Sequence, residues 1–125
     1  MYKRIDIGGK PIELTSNAAT PRLFKRVFGK DLLVEFSHID TQDLQSESGF
    51  QTLEIVKELG YVLNRQATLP FRECYAKLDE VDYLEWLTQF EEEDFYSSDT
   101  LIEIIGVWQK SARSSVQAKN QVSPQ

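Results

Sequence analysis

Ser37 and His38 are neighbours, and His38 is the sole histidine of the 125-residue chain. A catalytic nucleophile and its base must face each other, with a third group orienting the base. Adjacent residues on a helix point apart, so this pair does not form a dyad. Cys74, in FRECYAKL, is the sole cysteine. It makes no internal disulfide, suits a reducing compartment and reads as a small buried hydrophobe. One His and one Cys do not build a tetrahedral zinc site without several carboxylates. The run Glu91, Glu92, Glu93 and Asp94 lacks the central Gly and terminal Glu of an EF-hand loop, and reads as a solvated acidic corner. Gly8-Gly9 stands outside any GxxxxGK[ST] pattern and is no phosphate loop. The residue chemistry therefore predicts no catalytic residue, no metal and no cofactor. It stops at a small helical binding or assembly protein that is not an enzyme.

The elements that hold these residues can be read from periodicity. KRIDIGGKPIELT predicts a β-hairpin over residues 1–15, because Gly8-Gly9 suits a two-residue turn with φ > 0 at both positions. That turn pairs Ile5 with Ile12, Ile7 with Lys10 and Lys3 with Leu14. Ile5, Ile7, Ile12 and Leu14 then share one face, and Arg4 lies opposite Glu13 on the other. Pro11 marks an edge strand. Thr20-Pro21 predicts a helix start, with Thr20 as N-cap and Pro21 at the first helical position, and Gly29 predicts its end. Leu23, Phe24, Val27 and Phe28 form its apolar stripe; Arg22, Lys25 and Arg26 fill most of the remainder. Asp31 caps a second short helix, Leu32 to Ile39, and residues 40–49 have the composition of a mobile loop.

Phe50 to Ala67 is the strongest helix. Leu53, Ile55, Val56, Leu59, Val62, Leu63 and Ala67 fall within one half-turn, with Glu54, Lys57, Glu58, Asn64 and Arg65 on the other side. So wide a stripe suggests a central helix touching several neighbours. Gly60 within it marks either close helix approach or tolerance. Leu69-Pro70 ends it. Asp79 opens another helix to Phe90, with Tyr83, Leu84, Trp86, Leu87 and Phe90 on one face; the acids at 91–94 oppose the macrodipole and stop it. Ser98 or Asp99 caps the last, Thr100 to Ala112, whose stripe is Leu101, Ile102, Ile104, Ile105 and Trp108. Trp86 and Trp108 sit on apolar faces at helical spacing, which fits core packing; an interface anchor is the alternative. The expected fold is mainly α: an N-terminal hairpin packed on a compact bundle of about five helices. One domain spans residues 1–112, followed by a polar, disordered tail at 113–125.

Charge narrows the partners. Net charge is −6, unevenly spread. Residues 1–30 carry seven Lys/Arg against two acids, residues 31–109 four against eighteen, and residues 110–125 three against none. An acidic middle repels nucleic acid and anionic lipid, so neither is an expected partner. No apolar run approaches the ~20 residues that span a bilayer. MYKRIDIGGK lacks the apolar stretch of a secretory signal, giving a cytoplasmic expectation. Basic ends on an acidic body fit salt-sensitive self-association or a charged protein partner. An acidic mimic of DNA is a competing reading, and it needs a regular two-row pattern of surface carboxylates.

The order of the pieces carries more. The form I-x-I-G-G-K-x-I-x-L comes first, then A-A-T-P-R-L-F-K-R-x-F-G-K-D at Ala18–Asp31, and a long apolar helix at Leu53–Leu63. Y-L-E-W-L-T-Q-F at Tyr83–Phe90 and L-I-E-I-I-G-V-W-Q at Leu101–Gln109 follow, then a basic, polar tail. Across about 110 of the 125 residues this order resembles the tail assembly chaperones of long-tailed phages and prophages of Gram-positive bacteria. The chain departs from the family where many relatives have an Asp- and Pro-rich stretch, here Leu69-Pro70-Phe71 and Cys74-Tyr75-Ala76-Lys77. The resemblance implies a non-enzymatic protein of the infected or lysogenic host cytoplasm. It implies binding to the tape measure protein, keeping it soluble until tail tube protein assembles around it, and absence from the mature virion. It also implies a longer frameshifted product in many phages. Candidate partner-binding residues are Arg22, Lys25 and Arg26, otherwise a solvated helix back, together with Trp86 and Trp108.

Overall fold

The computed structural model describes residues 1–37, 47–97 and 99–109, with residues 47–52 as backbone alone. His38, the 40–46 segment, Ser98 and the 110–125 tail lie outside the described residues, as do the expectations attached to them. Two strands, β1 (Tyr2–Ile7) and β2 (Lys10–Thr15), form an antiparallel hairpin. Among the described residues six helices follow: α1 (Thr20–Phe28), α2 (Leu32–Ser37), α3 (Glu47–Thr68), α4 (Phe71–Lys77), α5 (Glu80–Leu87) and α6 (residues 99–109). A 3-10 turn, Glu92–Phe95, precedes α6.

The hairpin follows its alternation. Ile5 pairs with Ile12, Lys3 with Leu14 and Arg4 with Glu13. Ile5, Ile7, Ile12 and Leu14 are all buried, and Gly8 and Gly9 take φ of 60° and 82°. Two strands alone are marginal, and this pair lies with its apolar face on α3. The Asn64 side chain donates to the Glu13 carbonyl at 2.8 Å. At the turn, Lys10 donates to the Gln89 carbonyl.

Helix α3 is the axis. It contacts β2, α1, α4 and α5, and α6 approaches it at Gly60, where an added Cβ would stand 3.3 Å from Ile104 Cδ1. Close approach therefore accounts for that glycine. Enclosure on so many sides buries residues that a one-faced helix would expose. Tyr61 is fully buried, and Lys57 and Asn64 are buried as well. The expected polar side of α3 is thus largely an interior surface.

Aromatic rings continue the core sideways. Phe24 and Phe28 of α1 have centroids 5.1 Å apart. Phe28 meets Tyr83 at 5.1 Å, Tyr83 meets Tyr61 at 5.3 Å, and Tyr61 meets Trp86 at 5.8 Å. Trp86 then reaches Phe90 at 5.0 Å, and Phe90 reaches Phe95 at 5.3 Å. Tilted and edge-to-face pairs at these spacings contribute about 0.5–1.5 kcal/mol each beyond area burial.

Several boundaries differ from the sequence expectation. Helix α1 is capped by Ala19 without a side-chain bond; Thr20 is buried instead, its hydroxyl accepting from the Asn17 N–H and donating to Gln66. The helical backbone of α3 begins at Glu47, within the expected loop. The bundle has a sixth member, α4, because Pro70 both ends α3 and opens the next helix as its N-cap. Helix α5 ends at Leu87 rather than Phe90, and Leu84 and Ile102 are exposed, whereas Val107 is buried. Asp31 and Asp79 cap as expected: Asp31 accepts from the Leu33 N–H at 3.0 Å and Asp79 from the Asp82 N–H at 2.7 Å.

The acidic corner also has a structural task. Glu91 and Asp94 form a reciprocal capping box, with the Glu91 N–H donating to Asp94 at 2.8 Å. The Asp94 carboxylate lies so close over Gly8 that an added Cβ would meet its Cγ at 2.3 Å, whereas Gly9 has open space. Gly9→Ala is expected to cost about 1–2 kcal/mol, the strain of the left-handed region. Gly8→Ala should cost at least about 1 kcal/mol more, by displacing that cap. Urea unfolding midpoints check the ordering; equal losses contradict it.

Candidate partner interface

The polar network that positions the surface elements lies between α3 and α5. Asp82 accepts from the Tyr61 hydroxyl at 2.7 Å and takes the Arg65 guanidinium in both oxygens, at 3.1 and 3.2 Å. Burial, then the hydrogen bond to Asp82, push the Tyr61 phenol far above its usual range. A turn away, Trp86 Nε1 donates to Asn64 Oδ1 at 2.9 Å. Trp86 is 2% and Trp108 5% exposed. Both indoles belong to the core, and as surface anchors they are corrected: neither presents a face to a partner.

Cys74 is buried, its thiol directed at the Arg65 carbonyl 3.3 Å away. Burial pushes the thiol up, away from the reactive thiolate. Among the described residues, no group of three or more His, Cys, Asp and Glu side chains is placed to hold a metal ion, and no helix is long and apolar enough to cross a membrane.

The outward face of α1 is different. Leu23 and Phe24 are buried inward, while Arg22, Lys25 and Arg26 are all exposed. Lys25 and Arg26 lie in the last turn, where cations complement the helix dipole. Gly29, at φ 70°, closes the helix by donating to the Lys25 carbonyl. The guanidinium of Arg26 stands 4.0 Å over the Tyr75 ring and reaches the Leu78 carbonyl at 3.4 Å. Arg26 thereby joins α1 to α4.

Helix α4 turns Cys74 inward and leaves two aromatic rings outside. Phe71 and Tyr75 are 56% and 52% exposed, with ring centroids 6.3 Å apart. Through Arg26 and Tyr75 the face of α1 that carries the cations meets the exposed rings of α4. Exposed aromatics beside arginine are the residue types that carry binding energy at interfaces. Phe71 and Tyr75 were missed as candidates. Their i, i+4 spacing between Pro70 and the buried Leu78 was the available signal.

Exposed rings of this kind can lie against an apolar stripe, and the cations can pair with carboxylates. The Arg26–Tyr75 stack is expected to show a coupling of about 0.5–1 kcal/mol in a double-mutant cycle read by urea unfolding. Arg22→Ala and Lys25→Ala should change stability by less than about 0.5 kcal/mol. Absence of coupling would mean that Arg26 does not join the two helices. No family model, curated protein or solved structure matches this chain.

Proposed function

We propose that this protein is a phage tail assembly chaperone that binds a tape measure protein and keeps it soluble while the tail tube forms. The observation that carries the reading is the ordered set of sequence blocks. The T-P-R-L-F-K-R-V-F-G-K-D block is α1 with its glycine stop and the Asp31 cap of α2. The E-W-L block places Trp86 on Asn64, and the I-I-G-V-W block supplies buried Ile104, Ile105 and Trp108. These blocks specify core and caps, so they speak for the fold. Within them, Arg22, Lys25 and Arg26 remain outside, available to a client.

The physics suits the role. A tape measure protein is long and helix-rich, and its apolar stripes associate wrongly until the tube covers them. Phe71 and Tyr75 can lie on such a stripe, and the α1 cations can engage acids flanking it. Several copies along one client gain avidity through effective concentration. Salt-sensitive contact between copies, basic α1 to an acidic neighbour, belongs to the same reading, as does action in the host cytoplasm. No bond is made or broken in the client. The competing DNA-mimic reading is weakened by acids turned inward: Glu58 pairs with Lys30, Asp82 with Arg65, and Asp94 closes a capping box.

Co-expression with the tape measure protein tests the proposal. The client should become soluble and co-purify. The triple variant Arg22→Glu, Lys25→Glu, Arg26→Glu should remain folded and lose at least about tenfold in affinity, on the order of 1.4 kcal/mol. A client that stays insoluble and uncaptured would end this reading.

A further inference from the structure

The hairpin has two outer edges, and they are closed to different degrees. Met1 and Ser16 exchange both backbone bonds: the Met1 N–H donates to the Ser16 carbonyl at 2.6 Å, and the Ser16 N–H to the Met1 carbonyl at 2.8 Å. Bonded and non-bonded pairs alternate along an antiparallel ladder. Lys3, Ile5 and Ile7 therefore turn their N–H and C=O groups toward β2, and Tyr2, Arg4 and Asp6 turn theirs outward. On β2 the outward residues are Pro11, Glu13 and Thr15. Pro11 has no N–H, and the Glu13 carbonyl already accepts from Asn64 at 2.8 Å. Among the described residues, the outward backbone groups of Tyr2, Arg4 and Asp6 have no hydrogen-bond partner.

Space lies beside that edge. Tyr2, Lys3, Arg4 and Asp6 are all exposed. An open hollow of 510 Å³ is lined by Arg4, Ile5, Asp6, Pro11 and Glu103. A second, of 290 Å³, has Met1 and Lys3 on one side and Ile102 and Glu103 of α6 on the other. Glu103 belongs to both, so together they follow β1 from Met1 to Asp6. An added strand would lie about 4.8 Å from β1 in the hydrogen-bonding direction. A row of main-chain donors and acceptors specifies an extended backbone as its occupant.

We propose that this edge pairs with the β1 edge of a second copy of this chain, antiparallel and about a two-fold axis, joining two hairpins into a four-stranded sheet. The charges identify the occupant and its register. Outward residues must oppose outward residues, so the axis passes through a residue of β1. Centring it on Lys3, Arg4 or Asp6 sets that residue against its own copy, like charge against like. Centring it on Ile5 sets Arg4 opposite the partner's Asp6 and Asp6 opposite the partner's Arg4. Both pairs lie on the face away from the core, and they supply about four backbone hydrogen bonds. Ile5 then meets the partner's Ile5 on the apolar face. Glu103 adds a carboxylate on the side where an incoming strand brings Lys3 and Arg4. Charged side chains on an edge discourage pairing; here the same charges discourage every two-fold register but one. The contact uses neither α1 nor α4 and stands independently of the client reading above.

Sedimentation equilibrium of the full chain at rising concentration, with residue-resolved amide exchange on the same samples, tests the pairing. A dimer should form, and exchange of the Arg4 and Asp6 N–H should slow with it by at least about tenfold, while the outward Glu13 and Thr15 N–H stay as they were. Asp6→Arg sets arginine against arginine twice across the axis and should weaken the dimer at least about tenfold. The exchanged variant, Arg4→Asp with Asp6→Arg, restores both opposite pairs and should return the dimer to within about threefold of the unaltered chain. Arg4→Pro removes an outward N–H that the hairpin does not use, and should leave the chain monomeric. Unchanged exchange of the inward Ile5 and Ile12 N–H shows that each variant keeps its hairpin. A monomer at every concentration, a dimer that Asp6→Arg leaves intact, or failure of a folded exchanged variant to restore it would overturn the proposal. Protection of Arg4 and Asp6 that does not depend on concentration would overturn it too, since a segment of the same chain would then hold the edge.

Discussion

Asn64 is the joint on which the architecture depends. Its amide donates to the Glu13 carbonyl of the hairpin and accepts from the Trp86 indole of α5. One side chain near the C-terminal end of α3 thus fixes a strand on one side and a helix on the other. The constraint behind it is general: a helix enclosed on several sides must satisfy its polar residues from within. Leaving one buried polar group unpaired costs about 1–3 kcal/mol. The Asp82, Arg65 and Tyr61 cluster meets the same constraint one step away. Both networks lie beneath the aromatic series that runs from Phe24 to Phe95, so directional bonds set the register and ring packing fills the volume.

That interior decides what the surface can offer. With Leu23, Phe24, Cys74 and Leu78 committed inward, α1 and α4 can present only their other faces, which carry the cations and the two exposed rings. Arg26 over Tyr75 makes the two faces one. On the same α1 helix, Val27 and Phe28 border an acidic cavity. The cations lie on the outward face of α1, while the carboxylates of that cavity, Glu58 and Glu80, come from α3 and α5. Such segregation favours chosen orientations in a complex more than raw affinity.

The hairpin was legible in full because period-two alternation and two adjacent glycines leave one register, and a one-residue slip would turn Ile5 and Ile12 to solvent. Helix α1 was legible from Pro21 and Gly29. Thr20 misled as a cap because a half-buried Gln66, far along the chain, outcompeted the helix end for its hydroxyl. Asn64 was placed on a polar side because a helical wheel assumes one buried face; the wide stripe signalled several neighbours, but not that they would cover that side as well. Helix α4 was lost because Pro70 reads equally as a stop and a start. With it went Phe71 and Tyr75, half of the proposed interface. The three bases were visible from composition alone. The pairing of Arg26 with Tyr75 was not, since it spans 49 positions of sequence.

The central claim, that the joined α1 and α4 faces hold a helical client, is met most directly by amide hydrogen exchange of the chain alone and in complex with the tape measure protein. The account predicts slowed exchange concentrated in Thr20–Phe28 and Phe71–Lys77, with the hairpin Tyr2–Thr15 unchanged. Protection confined to the hairpin or to the Glu92–Phe95 turn, with α1 and α4 exchanging as in the free chain, would contradict it.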